Sequence, residues 1–65
     1  MRRFVLTTKS ESGDDYMYFI ENESVPTPKD ISRFLKTNAN DREDGIVYEQ
    51  MQQLREIYDT NFLKL

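Results

Sequence analysis

The sequence predicts an α+β fold with two layers, a β-hairpin followed by two α-helices in the order β-β-α-α. Two stretches rich in aromatic and β-branched residues lie within the first 21 positions, and such residues favour strands. A helix-capping sequence and an apolar stripe at helical spacing follow in the middle of the chain. A second set of apolar residues at helical spacing occupies the last third.

The predicted hairpin pairs residues 2–8 with residues 15–21 across the polar turn KSESGDD. Strand alternation sorts the side chains into faces: Phe4 and Leu6 share one face of the first strand, and Tyr16, Tyr18 and Ile20 share a face of the second, opposite Met17 and Phe19. Neither strand has a purely polar face. Helices can cover one side of such a hairpin, so another layer, a second subunit or a target must cover the other.

The first predicted helix begins after the connector NESVPTP. Thr27 is a good N-cap, Pro28 suits the first helical position, and Asp30 complements the positive end of the helix dipole. An apolar stripe and a cationic face follow at helical spacing, the first made of Ile31, Phe34 and Leu35 and the second of Lys29, Arg33 and Lys36. The cationic residues indicate either a solvated helix face or a docking site for an acidic partner.

The second predicted helix follows the charged turn DREDG, where Asp41 or Asp44 would be its cap. Its apolar residues recur at intervals of four, three and four, at Val47, Met51, Leu54 and Tyr58. The segment GIVYE alone favours a strand, but the period continues to Tyr58, so we predict a helix. Residues 60–65 then form either a short C-terminal β-strand or an extra helical turn, docked on the body of the protein.

The composition limits the chemistry. A chain of 65 residues predicts a single small domain, 1–65. Without Cys or His, we expect no disulfide, no metal site and no cofactor, and most nucleophile–base pairs of catalysis are missing, so we predict a protein that is not an enzyme. Small domains need a further source of stability, and association is the one left, so we expect a homodimer.

Charge and the N-terminus indicate the partner class and the compartment. Nine Lys and Arg against twelve Asp and Glu give a net charge of −3, which argues against broad nucleic-acid binding. The apolar run after MRRF is too short for a signal peptide or a membrane span. We therefore expect a cytoplasmic protein with a protein partner and no membrane association.

Two groups of residues are candidates for partner binding, the aromatic residues Tyr16, Tyr18 and Phe19 and the acidic residues Asp41, Glu43 and Asp44. The eight aromatic residues of so short a chain leave some rings for an interface, which tyrosine suits, unless all of them fill the core. Acids also crowd the first loop, at Glu11, Asp14 and Asp15. If the acidic loops converge they form a negative patch, and otherwise they are ordinary solvated loops.

These observations favour a non-catalytic regulator or inhibitor that acts through protein–protein contact. The first alternative is a nucleic-acid mimic that blocks a DNA- or RNA-handling protein. The second is a small DNA-binding regulator that uses the helix cations together with Arg2 and Arg3. A short acidic chain with no His or Cys and an α+β plan resembles, in type and without a shared motif, small phage-encoded proteins that bind host machinery.

Overall fold

The structure, a computed structural model, describes residues 1–58. Its strands are β1 (Arg2–Ser10), β2 (Asp15–Asn22), β3 (Arg42–Glu43), β4 (Ile46–Val47) and β5 (Glu49–Ile57), and its helix is α1 (Pro28–Asn38). The central strand β1 pairs antiparallel with both neighbours in a sheet of order β2-β1-β5. Strands β3 and β4 form a separate two-stranded ribbon. Helix α1 covers one face of the three-stranded sheet.

The hairpin of β1 and β2 occurs where it was predicted. Its register runs from Arg2 opposite Asn22 to Lys9 opposite Asp15. The turn is closed by the amide of Ser10, which donates to the carbonyl of Asp14 at 2.8 Å. Even-numbered side chains of both strands face α1, and Phe4 and Leu6 are almost completely buried there.

Helix α1 also occurs where it was predicted, and its N-terminus forms a capping box. The amide of Asp30 donates to the hydroxyl of Thr27 at 3.2 Å, and the amide of Thr27 donates to the carboxylate of Asp30 at 3.0 Å. Buried Ile31 and Leu35 pack on Leu6 of the sheet. The cap and the apolar stripe together place the helix across the hairpin.

The predicted second helix is wrong, and with it the β-β-α-α arrangement, because the described chain is mostly strand with one short helix. The register between β1 and β5 shifts after Thr7, where Gln53 is the partner of Thr7 and Met51 that of Thr8. Gln52 is the extra residue of this bulge, so Met51 and Leu54 face the same side of a strand although they are three positions apart. An interval of three is a helical signal, and the bulge produced it within a strand.

The turn between β3 and β4 replaces the predicted cap of that helix. Asp44 and Gly45 have φ angles of 51° and 79°, the left-handed values that a two-residue type I′ hairpin turn requires at both positions. Asp44 therefore occupies a turn and caps no helix. The prediction for residues 60–65 lies outside the described residues.

Candidate protein-binding surfaces

A buried carboxylate joins the sheet to the segment after α1. Glu49 is only 6% exposed, and its Oε1 accepts hydrogen bonds from the hydroxyls of Thr8 at 2.6 Å and Tyr18 at 2.7 Å. Its Oε2 accepts from the backbone amide of Asp41 at 2.7 Å. Within residues 1–58 it makes no ion pair, so neutral donors alone compensate for the lost hydration of this charge.

Hydrogen bonding decides the ionisation of Glu49. Burial acts to raise the pKa of Glu49, but the hydrogen bonds from Thr8, Tyr18 and nearby backbone amides outweigh it, and the pKa lies below the ordinary glutamate value. Burial, reinforced by the carboxylate, raises the pKa of Tyr18. The phenol therefore keeps its proton and donates it. Neither group is poised to exchange a proton near neutral pH, so their role is structural. Glu49 and its donors, Thr8, Tyr18 and the amide of Asp41, are named here the clamp.

An apolar groove of about 280 Å³ lies between α1 and the strands β4 and β5. The helix lines it with Pro28, Ile31, Ser32 and Leu35, and the strands line it with Val47, Glu49 and Met51. Met51 is 50% exposed, and the carboxylate of Glu49 is occupied by its internal donors. The groove therefore offers apolar contacts and no free buried charge.

The strand beside this groove is an edge of the sheet. In the part of the chain that the structure describes, β5 pairs only with β1, so the main chain along its outer side has no sheet partner. Two exposed cations, Lys29 and Lys36, lie three residues before and four residues after Ser32, positions that adjoin it on a helix surface. The helical rim of the groove is accordingly basic.

A second surface is the side of the sheet that faces away from α1, named here the open face. It consists of Arg3, Val5, Thr7 and Lys9 of β1, Asp15, Met17, Phe19 and Glu21 of β2, and Gln50, Gln53, Arg55 and Ile57 of β5. Met17 and Phe19 are 57% and 56% exposed. No helix within residues 1–58 covers this face.

The three aromatic residues predicted to bind a partner lie on opposite faces. Tyr16 and Tyr18 point to the helix side and are partly buried, and the ring of Tyr18 meets Phe34 edge-on at 5.7 Å between centroids. Only Phe19 lies on the open face. Tyr18 is thus a residue of the clamp, and Phe19 is the candidate contact residue.

The three acidic residues predicted to bind a partner gather near one end of the sheet. Asp41 precedes β3, and Glu43 and Asp44 are exposed on the ribbon. The carbonyl of Tyr48 accepts from the amide of Glu11 in the first loop at 2.9 Å, while the amide of Tyr48 donates to the carbonyl of Asp41 at 2.9 Å. The two acidic loops therefore meet.

The same convergence affects Tyr16. Burial raises the pKa of Tyr16, and the carboxylates of Asp14, Asp41 and Glu49 raise it further. Carboxylates of both loops thus act on one ring. Nevertheless, no group of three or more potential ligands in residues 1–58 is arranged to hold a metal ion.

Sequence reasoning missed the groove and the role of Glu49, because it assigned residues 46–58 to a helix. One signal pointed to the correct structure: the dipeptide Asp44-Gly45 is followed by the β-formers Ile46 and Val47, a strong indication of a hairpin.

In the described chain, no helix has the length and apolar character needed to cross a membrane.

In comparisons with known proteins, no family model, no curated protein and no solved structure matches the chain.

Proposed function

We propose that this protein is a non-catalytic, cytoplasmic regulator or inhibitor that binds an extended segment of a partner protein along β5. The observation that carries the proposal is the apolar groove beside an edge strand. An added strand would pair with the outer main chain of β5, which has no sheet partner within residues 1–58, and would send alternate side chains toward the groove. The main-chain bonds would supply affinity, and the groove would supply selectivity.

The lining of the groove specifies the segment it would accept. Apolar side chains of the bound segment would contact Val47 and Met51 on the strand side of the groove and Leu35 on its helix side. Carboxylates beside those apolar residues suit the rim formed by Lys29 and Lys36. We therefore propose an extended acidic segment with apolar residues at alternate positions as the ligand.

The test uses a displayed library of random decapeptides selected against the full chain. We expect the enriched peptides to alternate apolar and other residues and to carry Asp or Glu. Met51→Ser should weaken the best peptide by roughly fivefold, because the change removes part of the apolar contact of a half-exposed side chain. Val25→Ser is the matched control, since Val25 is 53% exposed on the connector, away from the groove.

The electrostatic part of the proposal has its own control. Lys29→Glu should weaken the peptide more than Arg33→Glu, because Arg33 lines a different cleft, with Ile20 and Phe34. Equal effects of the two changes would indicate general attraction to a basic helix and would contradict a defined site. Enriched peptides without alternation, or a Met51→Ser variant that binds like Val25→Ser, would contradict the groove itself.

A nucleic-acid mimic is the second candidate, and the meeting of the two acidic loops at Tyr48 favours it. A mimic would bind the basic site of a DNA- or RNA-handling protein through Asp41, Glu43 and Asp44. Once such a partner is in hand, its affinity should fall steeply with salt and with Glu43→Gln and Asp44→Asn. Binding that depends on Met51 and hardly on salt would favour the groove instead.

A further inference from the structure

The charges that β1 and β2 place on the open face lie in two separate rows, and Arg55 of β5 lies beside Val5 between those rows. Four cross-strand pairs of β1 and β2 lie on it: Arg3 with Glu21, Val5 with Phe19, Thr7 with Met17, and Lys9 with Asp15. In each of the two end pairs the cation is on β1 and the acid is on β2. The two middle pairs are apolar or, at Thr7, uncharged, and they include exposed Met17 and Phe19.

This arrangement is complementary to itself. A twofold axis parallel to the strands and midway between β1 and β2 would stack two open faces and lay β2 of each copy over β1 of the other. Glu21 would then meet the Arg3 of the second copy, and Asp15 would meet its Lys9. The same rotation places Phe19 over the second copy's Val5, which is already buried within its own copy. Both exposed apolar side chains of β2 would leave water.

We propose that the open face is a homodimer interface. The two copies are related by a twofold axis, so that β1 of each copy stacks on β2 of the other. The occupant follows from charge, because in this arrangement Arg3 and Lys9 each face an acid of the other copy, while Arg55 of β5 lies outside the two stacked strands. A face with a single sign of charge would repel its own copy. The contact leaves β5 and its groove free, so this inference stands apart from the proposed function.

The size of the contact sets its strength. Two strands of eight residues cover about 10 Å by 26 Å in ordinary strand geometry, roughly 260 Å² on each copy, so the interface is smaller than those of stable complexes and is a weak one. We therefore expect a dimer that forms with rising concentration, visible by sedimentation equilibrium of the full chain between about 10 µM and about 1 mM.

The decisive test exploits the two charged positions of one row. Glu21→Lys alone sets Lys against the Arg3 of the other copy twice, and Arg3→Glu alone sets Glu against its Glu21 twice, so each variant should dimerise roughly tenfold more weakly. An equimolar mixture of the two variants also forms the mixed dimer, in which only opposite charges meet at these positions. It should therefore recover the dimer of the unchanged chain.

Controls separate this contact from general charge and from other surfaces. Glu23→Lys and Arg33→Glu make the same charge changes off the open face, and both should dimerise like the unchanged chain. Phe19→Lys should abolish dimerisation, while circular dichroism checks that the fold is retained. The proposal is overturned by a monomer throughout the concentration range, by a mixture that does not recover the dimer, or by dimerisation that survives Phe19→Lys.

Discussion

The hydroxyl of Tyr18 donates to Oε1 of Glu49 at 2.7 Å and accepts from the backbone and side-chain nitrogens of Asn40 at 3.0 Å each. Through this one oxygen, β2 is joined to β5 and to the segment that follows α1. The two strands are on opposite sides of β1 and do not pair with each other. The clamp therefore holds together parts of the molecule that main-chain hydrogen bonding leaves separate, and it forms one end of the groove.

Glu49→Gln should lower the free energy of unfolding by about 1–3 kcal/mol, because an amide supplies only one oxygen to three buried donors. Urea unfolding at pH 7 measures the change. Glu23→Gln is the control, since Glu23 is exposed in the connector and its change should have almost no effect. Equal stabilities of the two variants would show that the buried carboxylate does not hold the fold together.

The stability should depend on pH through Glu49. Its pKa in the fold lies below the ordinary value, so folding favours the ionised form. This contribution is complete above the unfolded-state pKa of about 4.3 and is lost as the pH falls through the lower folded-state pKa.

Urea unfolding between pH 7 and pH 2 would follow this loss. Other carboxylates with lowered pKa values, Asp30 and Glu56, contribute in the same direction. The difference between the unchanged chain and Glu49→Gln isolates Glu49, and this difference should shrink in acid. A difference that stays constant with pH would argue against the clamp as its source.

Tyr18→Phe should cost about 1–2 kcal/mol, because it removes one donor to Glu49 and leaves the amide of Asn40 without its acceptor. Tyr16→Phe is the matched control, as Tyr16 lies on the same face of β2 and makes none of these hydrogen bonds. Thermal unfolding of both variants measures the contrast. A larger loss for Tyr16→Phe would contradict the assignment of Tyr18 to the clamp.

Gly45→Ala should destabilise the ribbon by about 1 kcal/mol, because a Cβ disfavours the φ of 79° at this turn position. Space is not the limit, as a Cβ at Gly45 has no neighbour within 4 Å. Gly45→Asn should cost less, since asparagine tolerates left-handed conformations. Hydrogen exchange of the amides of β4 reports on the ribbon, and similar protection in the Ala and Asn variants would refute the backbone explanation.

The candidate surfaces were only partly predictable. Alternation along β2 separates Phe19 from Tyr16 and Tyr18, but it does not say which face the helix covers. The acidic loops were identified from composition, while their meeting depends on the bond between Glu11 and Tyr48. The groove was not predicted, because it exists only once residues 49–57 form a strand.

The sequence by itself determined the structures that depend on near neighbours. The cap of Thr27 and Asp30, the stripe of Ile31 and Leu35, and the alternation of the first two strands act over a few residues, so local patterns predict them. The tertiary structure alone decided the state of residues 49–57. These residues pair with the side of β1 that β2 leaves open, and Glu49 is buried among donors from three segments. Together these interactions outweigh the helical spacing of the apolar residues, which by itself suits a helix.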